Sequence, residues 1–179
     1  MGNLLFSPQG RILKNRFWQG VVVLTVASVI FQAAQVRLGQ ALGFGGVFFF
    51  FVAGLVLLYM EICVYAKRFH DAGKTGWWVL AVWVGSFIIS AVLSAFLSGV
   101  FIGEEGRAIQ EELAERLAQG EWMIAAEAAE RLAQLQLPLT LISLVVNAVI
   151  MAFIVGSLPT EPRTNKHGPV PGRGPDAFD

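Results

Sequence analysis

TGWWVLAVWVGSFIISAVLSAFLSGVFIG, residues 75–103, runs for 29 residues without a charge. A helix rises about 1.5 Å per residue, so about 20 apolar residues cross the roughly 30 Å hydrocarbon layer of a bilayer. Three more windows of this kind lie along the chain: residues 17–36, 38–60 and 132–160 carry no Asp, Glu, Lys or Arg. Backbone groups in lipid must bond within the chain, so each window predicts a helix. The expected spans are 17–36, 43–64, 77–101 and 138–158. Pro138 suits a first-turn position, and Pro159 and Pro162 stop the fourth span.

Composition agrees. Of 179 residues, 55% are apolar and 15% charged, against about 25% charged in an ordinary soluble domain. A domain this small cannot hide that excess, which excludes a soluble enzyme and a disordered chain. Net charge is zero, so nothing implies nucleic acid as a partner. The single cysteine, Cys63, excludes an internal disulfide and reads as a small buried hydrophobe. The first apolar window exceeds the 7–15 residues, roughly, of a secretory h-region, so cleavage is not expected.

Charge placement sets the orientation. Nine Lys and Arg fall in residues 1–16, the turn between spans two and three, and the tail; four fall on the other side. Eight of the thirteen acidic residues lie in 104–130. The positive-inside rule places both termini in the cytoplasm. Trp18, Tyr65, Trp77 and Trp78 lie where an interfacial aromatic belt would.

The fold expected is all-α: an integral membrane bundle of four transmembrane helices, residues 17–158, with an amphipathic helical insert over 103–136 between the third and fourth. Residues 1–16 form a cytoplasmic segment, and 159–179 a Pro/Gly-rich tail. The insert is rich in Ala, Glu, Leu and Gln, with AERLAQ at 114–119 and again at 129–134. Two short helices hinged at Gly120 are expected, carrying the i,i+4 pairs Glu112–Arg116 and Glu127–Arg131. They form either a lid on the outer surface or a docking face for a partner.

Inside the spans, Ser86, Ser90, Ser94 and Ser98 step by four on one helix face. Ser143 and Asn147 on the fourth span are natural partners, for packing or for a polar path. Glu61 lies about one turn inside the second span. An ionisable group there is either a functional site or the partner of Lys67, Arg68 or Arg11.

Three segments share the cytoplasmic face: LLFSPQGRILKNRFWQ at 4–19 with Gly20, KRFHDAGKTGWW at 67–78 and TNKHGPVPG at 164–172. Gly10, Arg11, Lys14, Phe17 and Trp18 form the first motif; Arg68, His70, Asp71, Gly73, Lys74, Gly76, Trp77 and Trp78 the second; Asn165, Gly168, Pro169 and Pro171 the third. In this order they resemble a bacterial family of small multi-pass proteins, domain-of-unknown-function family 805. Departures from its pattern are Lys14, Arg16, Phe69, His167 and Val170. The resemblance implies an inner-membrane location and no established activity.

Arg11, Lys14, Arg68, His70, Asp71, Lys74 and Asn165 are therefore the candidate site for an anion or lipid headgroup, with Gly73 and Gly76 exposing backbone N–H groups. The plainer reading is an orientation signal with interfacial anchoring. Asp71 is placed to cap the third helix. Glu61, Ser90, Ser94 and Asn147 are the intramembrane polar candidates. No nucleophile is marked and the histidines lack metal-ligand spacing, so no enzyme, metal or cofactor is expected. A structural or accessory component is favoured, with membrane lipid and another membrane protein or a second copy as partners. The alternatives are a small oligomeric transporter or channel component, and an enzyme using the His70–Asp71 turn.

Overall fold

The computed structural model describes residues 2–39 and 41–171. The tail beyond residue 171, with Arg173, lies outside the described residues. The elements are α1 (Gly2–Phe6), α2 (Lys14–Leu38), α3 (Gly43–Asp71), a 3-10 turn (Gly76–Trp78), α4 (Val79–Phe101), α5 (Gly103–Ala118) and α6 (Trp122–Gly156). Among the described residues there is no strand. Four helices, α2, α3, α4 with its leading turn, and α6, are long and apolar enough to cross a membrane. The chain is an all-helical, multi-pass membrane protein.

The sequence places the third-to-fourth connection differently from the structure. Pro138 lies inside α6, not at a helix start. Residues 122–137 are helix formers throughout, so the helix runs across the missing N–H as one 35-residue rod. At about 1.5 Å per residue it outruns the hydrocarbon layer by some 20 Å. Gly103 and Gly120 take φ of +66° and +75°, the left-handed backbone that glycine alone adopts freely, and so break the chain on either side of α5. Between them α5 doubles back along α6. Arg131 pairs with Glu112 at 2.5 Å and Arg116 with Glu121 at 2.7 Å. These ion pairs replace the expected Glu112–Arg116 and Glu127–Arg131, because each arginine reaches a carboxylate outside its own helical row.

The four spans form an arc rather than a closed ring. Helix α2 packs on α3 and α6, α6 packs on α4, and α3 meets α4 sparsely. The main core gathers at the terminal end of the bundle, which holds residues 2–16 and 157–171, around Phe17, Val21, Val64, Tyr65, Phe69, Val82, Met151 and Val155. Tyr65 is buried there, edge-on to Phe17 with ring centroids 5.4 Å apart, and does not join the aromatic belt. Its ring finds apolar partners on α2 before it finds an interface. Trp77 and Trp78 do lie exposed. Cys63 is buried and free.

Gly20 lets α2 approach α3. A Cβ there would lie 3.0 and 3.1 Å from the Val64 methyls, whereas one at Gly45 meets open space. Gly20→Leu is expected to lower stability by about 1–3 kcal/mol, read as the melting transition in detergent, with Gly45→Leu unchanged.

Candidate functional site

The three motif segments converge on one carboxylate, Asp71, at the last turn of α3. Arg11 comes from the segment before α2; its Nε and Nη2 donate to Asp71 Oδ1 at 3.3 and 3.2 Å. Arg68, one turn earlier on α3, donates from Nη1 to Oδ2 at 2.5 Å. The Thr160 hydroxyl donates to the same oxygen at 2.8 Å. The Arg11, Arg68 and Asp71 side chains are 1%, 0% and 0% exposed, so the cluster is fully dry.

Two buried cations on one anion leave an excess positive charge, and backbone carbonyls take it up. Arg68 Nη2 donates to Gly156 O at 3.1 Å and to Leu158 O. Arg11 donates to Glu161 O at 2.6 Å and Arg163 O at 2.8 Å. These carbonyls lie at and beyond the C-terminus of α6, where unsatisfied C=O groups carry the negative end of the helix dipole. Lys67, also buried, donates to Leu4 O at 2.9 Å and to Asn3 O, tying α1 to α3.

The turn after α3 closes on itself. Gly73, with φ +72°, bonds to His70 O at 3.1 Å, and Lys74 N to Phe69 O at 2.8 Å, the paired bonds of a Schellman end. Gly73 and Lys74 thus use their N–H groups internally and do not cradle an anion. A Cβ on Gly73 would meet Glu161 Oε2 at 2.8 Å, so glycine also admits the tail. Asn165 Nδ2 donates to that carboxylate at 2.7 Å and to His70 O at 3.0 Å. His70 bonds Gly10 O at 3.1 Å and stacks on His167 at 3.7 Å.

Of the expected anion-site residues, Arg11, Arg68, Asp71, His70 and Asn165 come together, but as an internal knot. Asp71 does not cap the next helix: Thr75 precedes the 3-10 turn without a side-chain cap, and both carboxylate oxygens face the arginines. Lys14 lies exposed and apart. Lys74 places its ammonium 5.0 Å above the Trp78 ring. Sequence reasoning missed Thr160, Glu161 and the α6 carbonyls. They lie about ninety residues from Arg68, and a helix-end carbonyl carries no side-chain signature.

Deeper in the bundle, all four spans line a cavity of about 500 Å³. Thr25, Ser28, Gln32, Glu61, Ser86 and Asn147 present polar groups to it. Thr25, Ser28 and Gln32 fall on one face of α2 at steps of three and four, a pattern readable in the sequence but overlooked. A second cavity, about 280 Å³, follows along α4 and α6 and takes in Ser90, Ser94, Ser98 and Ser143. Asn147 borders both and donates to Ser90 Oγ at 3.2 Å. The serine stripe therefore meets α6 at Ser90, while Ser94 and Ser98 line a gap. Glu61 pairs with none of Lys67, Arg68 and Arg11, because each of those is engaged at the terminal end.

A family model described as "Protein of unknown function (DUF805)" matches residues 5–169. No curated protein and no solved structure matches the chain.

Removing the Asp71 carboxylate leaves two buried guanidinium groups facing each other. Asp71→Ala is expected to destabilise the protein by about 3–5 kcal/mol, as for one partner lost from a buried ion pair. Thr160→Val loses the hydrogen bond donated to Asp71 and the longer one accepted from Arg68, about 1–2 kcal/mol. Thermal unfolding in detergent ranks the two.

Burial, then Lys166 and Arg11, push the His167 imidazole below its ordinary value of 6.5, and its buried Nε2 has no hydrogen-bond partner among the described residues. Docking therefore favours the neutral form of His167. A released tail binds the proton more readily, so docking weakens as pH falls below about 6.5. Hydrogen exchange at residues 165–168 should quicken on acidification, and His167→Phe, which keeps a ring on His70, should reduce that dependence.

Proposed function

We propose that this chain, which belongs to the DUF805 family, is a non-enzymatic structural or accessory component of the bacterial inner membrane. Both termini lie in the cytoplasm, and the terminal end of the bundle rests on anionic lipid headgroups. The observation that carries this reading is the division of the basic residues. Arg11, Lys67 and Arg68 are buried and hold the fold. Lys14, Arg16 and Lys74 remain exposed around the same end, beside exposed Trp18, Trp77 and Trp78. Lysine and arginine near a membrane surface are each worth about 1 kcal/mol toward anionic lipid, and tryptophan favours the headgroup level.

The nine-to-four excess of Lys and Arg on the terminal side supports the orientation. The reading extends to the opposite end. Helix α5 with the first half of α6 forms an amphipathic outer hairpin: Ile109, Ala125 and Ala128 are buried where the two helices pack, while Glu104, Glu105, Glu111, Glu115 and Glu127 are exposed. Its acidic balance suits a docking face better than a lid laid on anionic lipid.

Native mass spectrometry of the protein, gently extracted from its own membrane, tests the headgroup contact. Wild type should retain phosphatidylglycerol or cardiolipin. A Lys14→Gln, Arg16→Gln, Lys74→Gln variant should lose it while melting as wild type does, because none of the three enters the knot. Unchanged retention in that variant overturns the reading.

A further inference from the structure

A carboxylate in the hydrocarbon region is stable only if something neutralises it. Glu61 faces the larger cavity, and among the described residues it has neither a salt-bridge nor a hydrogen-bond partner. The nearest basic residues along α3 are committed: Lys67 to the carbonyls of Asn3 and Leu4, Arg68 to Asp71 and the end of α6. The fold has thus gathered its cations a turn or two away and left this anion facing an open space.

That space has the size and lining of a binding site. Its volume of about 500 Å³ lies within the roughly 300–1,000 Å³ of small-molecule pockets. Phe31, Tyr65 and Trp83 bring aromatic surface to it, and aromatic faces attract cations. Ser28 adds a hydroxyl. The Trp83 indole N–H is buried without a hydrogen-bond partner, and the Asn147 carboxamide uses one polar end, on Ser90, leaving the other buried and bare. Buried polar atoms without partners are uncommon in a finished core; of the five among the described residues, two belong to residues that border the same cavity as the unpaired carboxylate. Helices α3 and α4 meet sparsely, so a route into the cavity from the side passes between them.

We infer that the cavity binds an organic ammonium group, with Glu61 as its counter-ion and the aromatic walls and bare Trp83 and Asn147 atoms orienting it. The ammonium comes either from an aminophospholipid headgroup entering sideways between α3 and α4 or from a free amine. This site uses none of the exposed lysines of the terminal face and stands independently of the anionic-lipid contact.

The full-length protein is reconstituted in phosphatidylglycerol nanodiscs, which contain no amine, and titrated with 2-phenylethylammonium chloride and with the uncharged 2-phenylethanol, followed by calorimetry and tryptophan emission. In parallel, native mass spectrometry weighs adducts after reconstitution in an equal mixture of phosphatidylethanolamine and phosphatidylglycerol. The inference expects saturable binding of the ammonium at least tenfold tighter than of the alcohol, or preferential retention of phosphatidylethanolamine. Retention without response to the free amine assigns the lipid as source; the reverse assigns a free amine. Glu61→Gln, which keeps the shape and removes the charge, should abolish whichever is seen, and Lys14→Gln should not. Equal binding of ammonium and alcohol together with no preference for phosphatidylethanolamine overturns the inference in the wild-type protein, without reference to any variant. Full binding retained by a folded Glu61→Gln protein overturns it too.

Discussion

One carboxylate, Asp71, sits between two buried guanidinium groups, and the arrangement of the terminal end follows from keeping that cluster neutral. Two arginines on one aspartate leave a net positive charge in a dry site, which would be costly alone. The balance comes from the carbonyls at the end of α6 and in the segment beyond it, where a helix presents partial negative charge. The electrostatic requirement therefore fixes topology. It needs the segment before α2, the end of α3 and the end of α6 in one place. Deleting any of them leaves a buried charge short of a partner.

Closing the bundle at that end explains its looser middle. The apolar core packs beside the knot, and at the opposite end, where α5 packs on α6, Ile102, Ile109 and Leu137 are buried. Between them the spans diverge into an arc and leave cavities lined by Thr25, Ser28, Ser86 and the serines of α4. In water, such a gap would be driven shut by the hydrophobic effect. In a bilayer lipid tails are as apolar as leucine, and helices associate through packing and polar contacts instead. A gap is tolerated where polar side chains line it, as around Asn147 and Ser90.

The spans were legible because charge is expensive in lipid: the uncharged windows fall inside α2, α3, α4 and α6 with their adjoining turns. The continuous α6 was not, since Pro138 reads as a boundary and only the contacts with α5 show that the helix carries on through it. The site was legible in membership, while the internal pairing of its buried members was not. Arg11, Arg68, Asp71 and Asn165 could be picked out as a group, but a list of cations beside a supple turn resembles an anion cradle whether or not a carboxylate of the same group already fills it. The distinction turns on where Asp71 points, and neither spacing nor composition encodes that. Glu61 shows the converse: its isolation is a property of where three other basic side chains go.

These two kinds of charge also clarify what the positive excess at the terminal end means. The rule that reads orientation from Lys and Arg acts on the chain as it inserts, before the knot exists, so it counts Arg11, Lys67 and Arg68 on the same footing as Lys14 and Lys74. Folding then separates them. The first three are buried and paired with Asp71 and with backbone carbonyls; the last two stay exposed, as the proposed lipid contact requires. A cation can thus be decisive for the proposed orientation and silent toward the membrane afterward. In the proposed orientation, Arg11 both counts toward holding its segment back during insertion and fastens that segment to α3 and to the chain beyond α6, so orientation and fold would draw on one set of charges at successive stages.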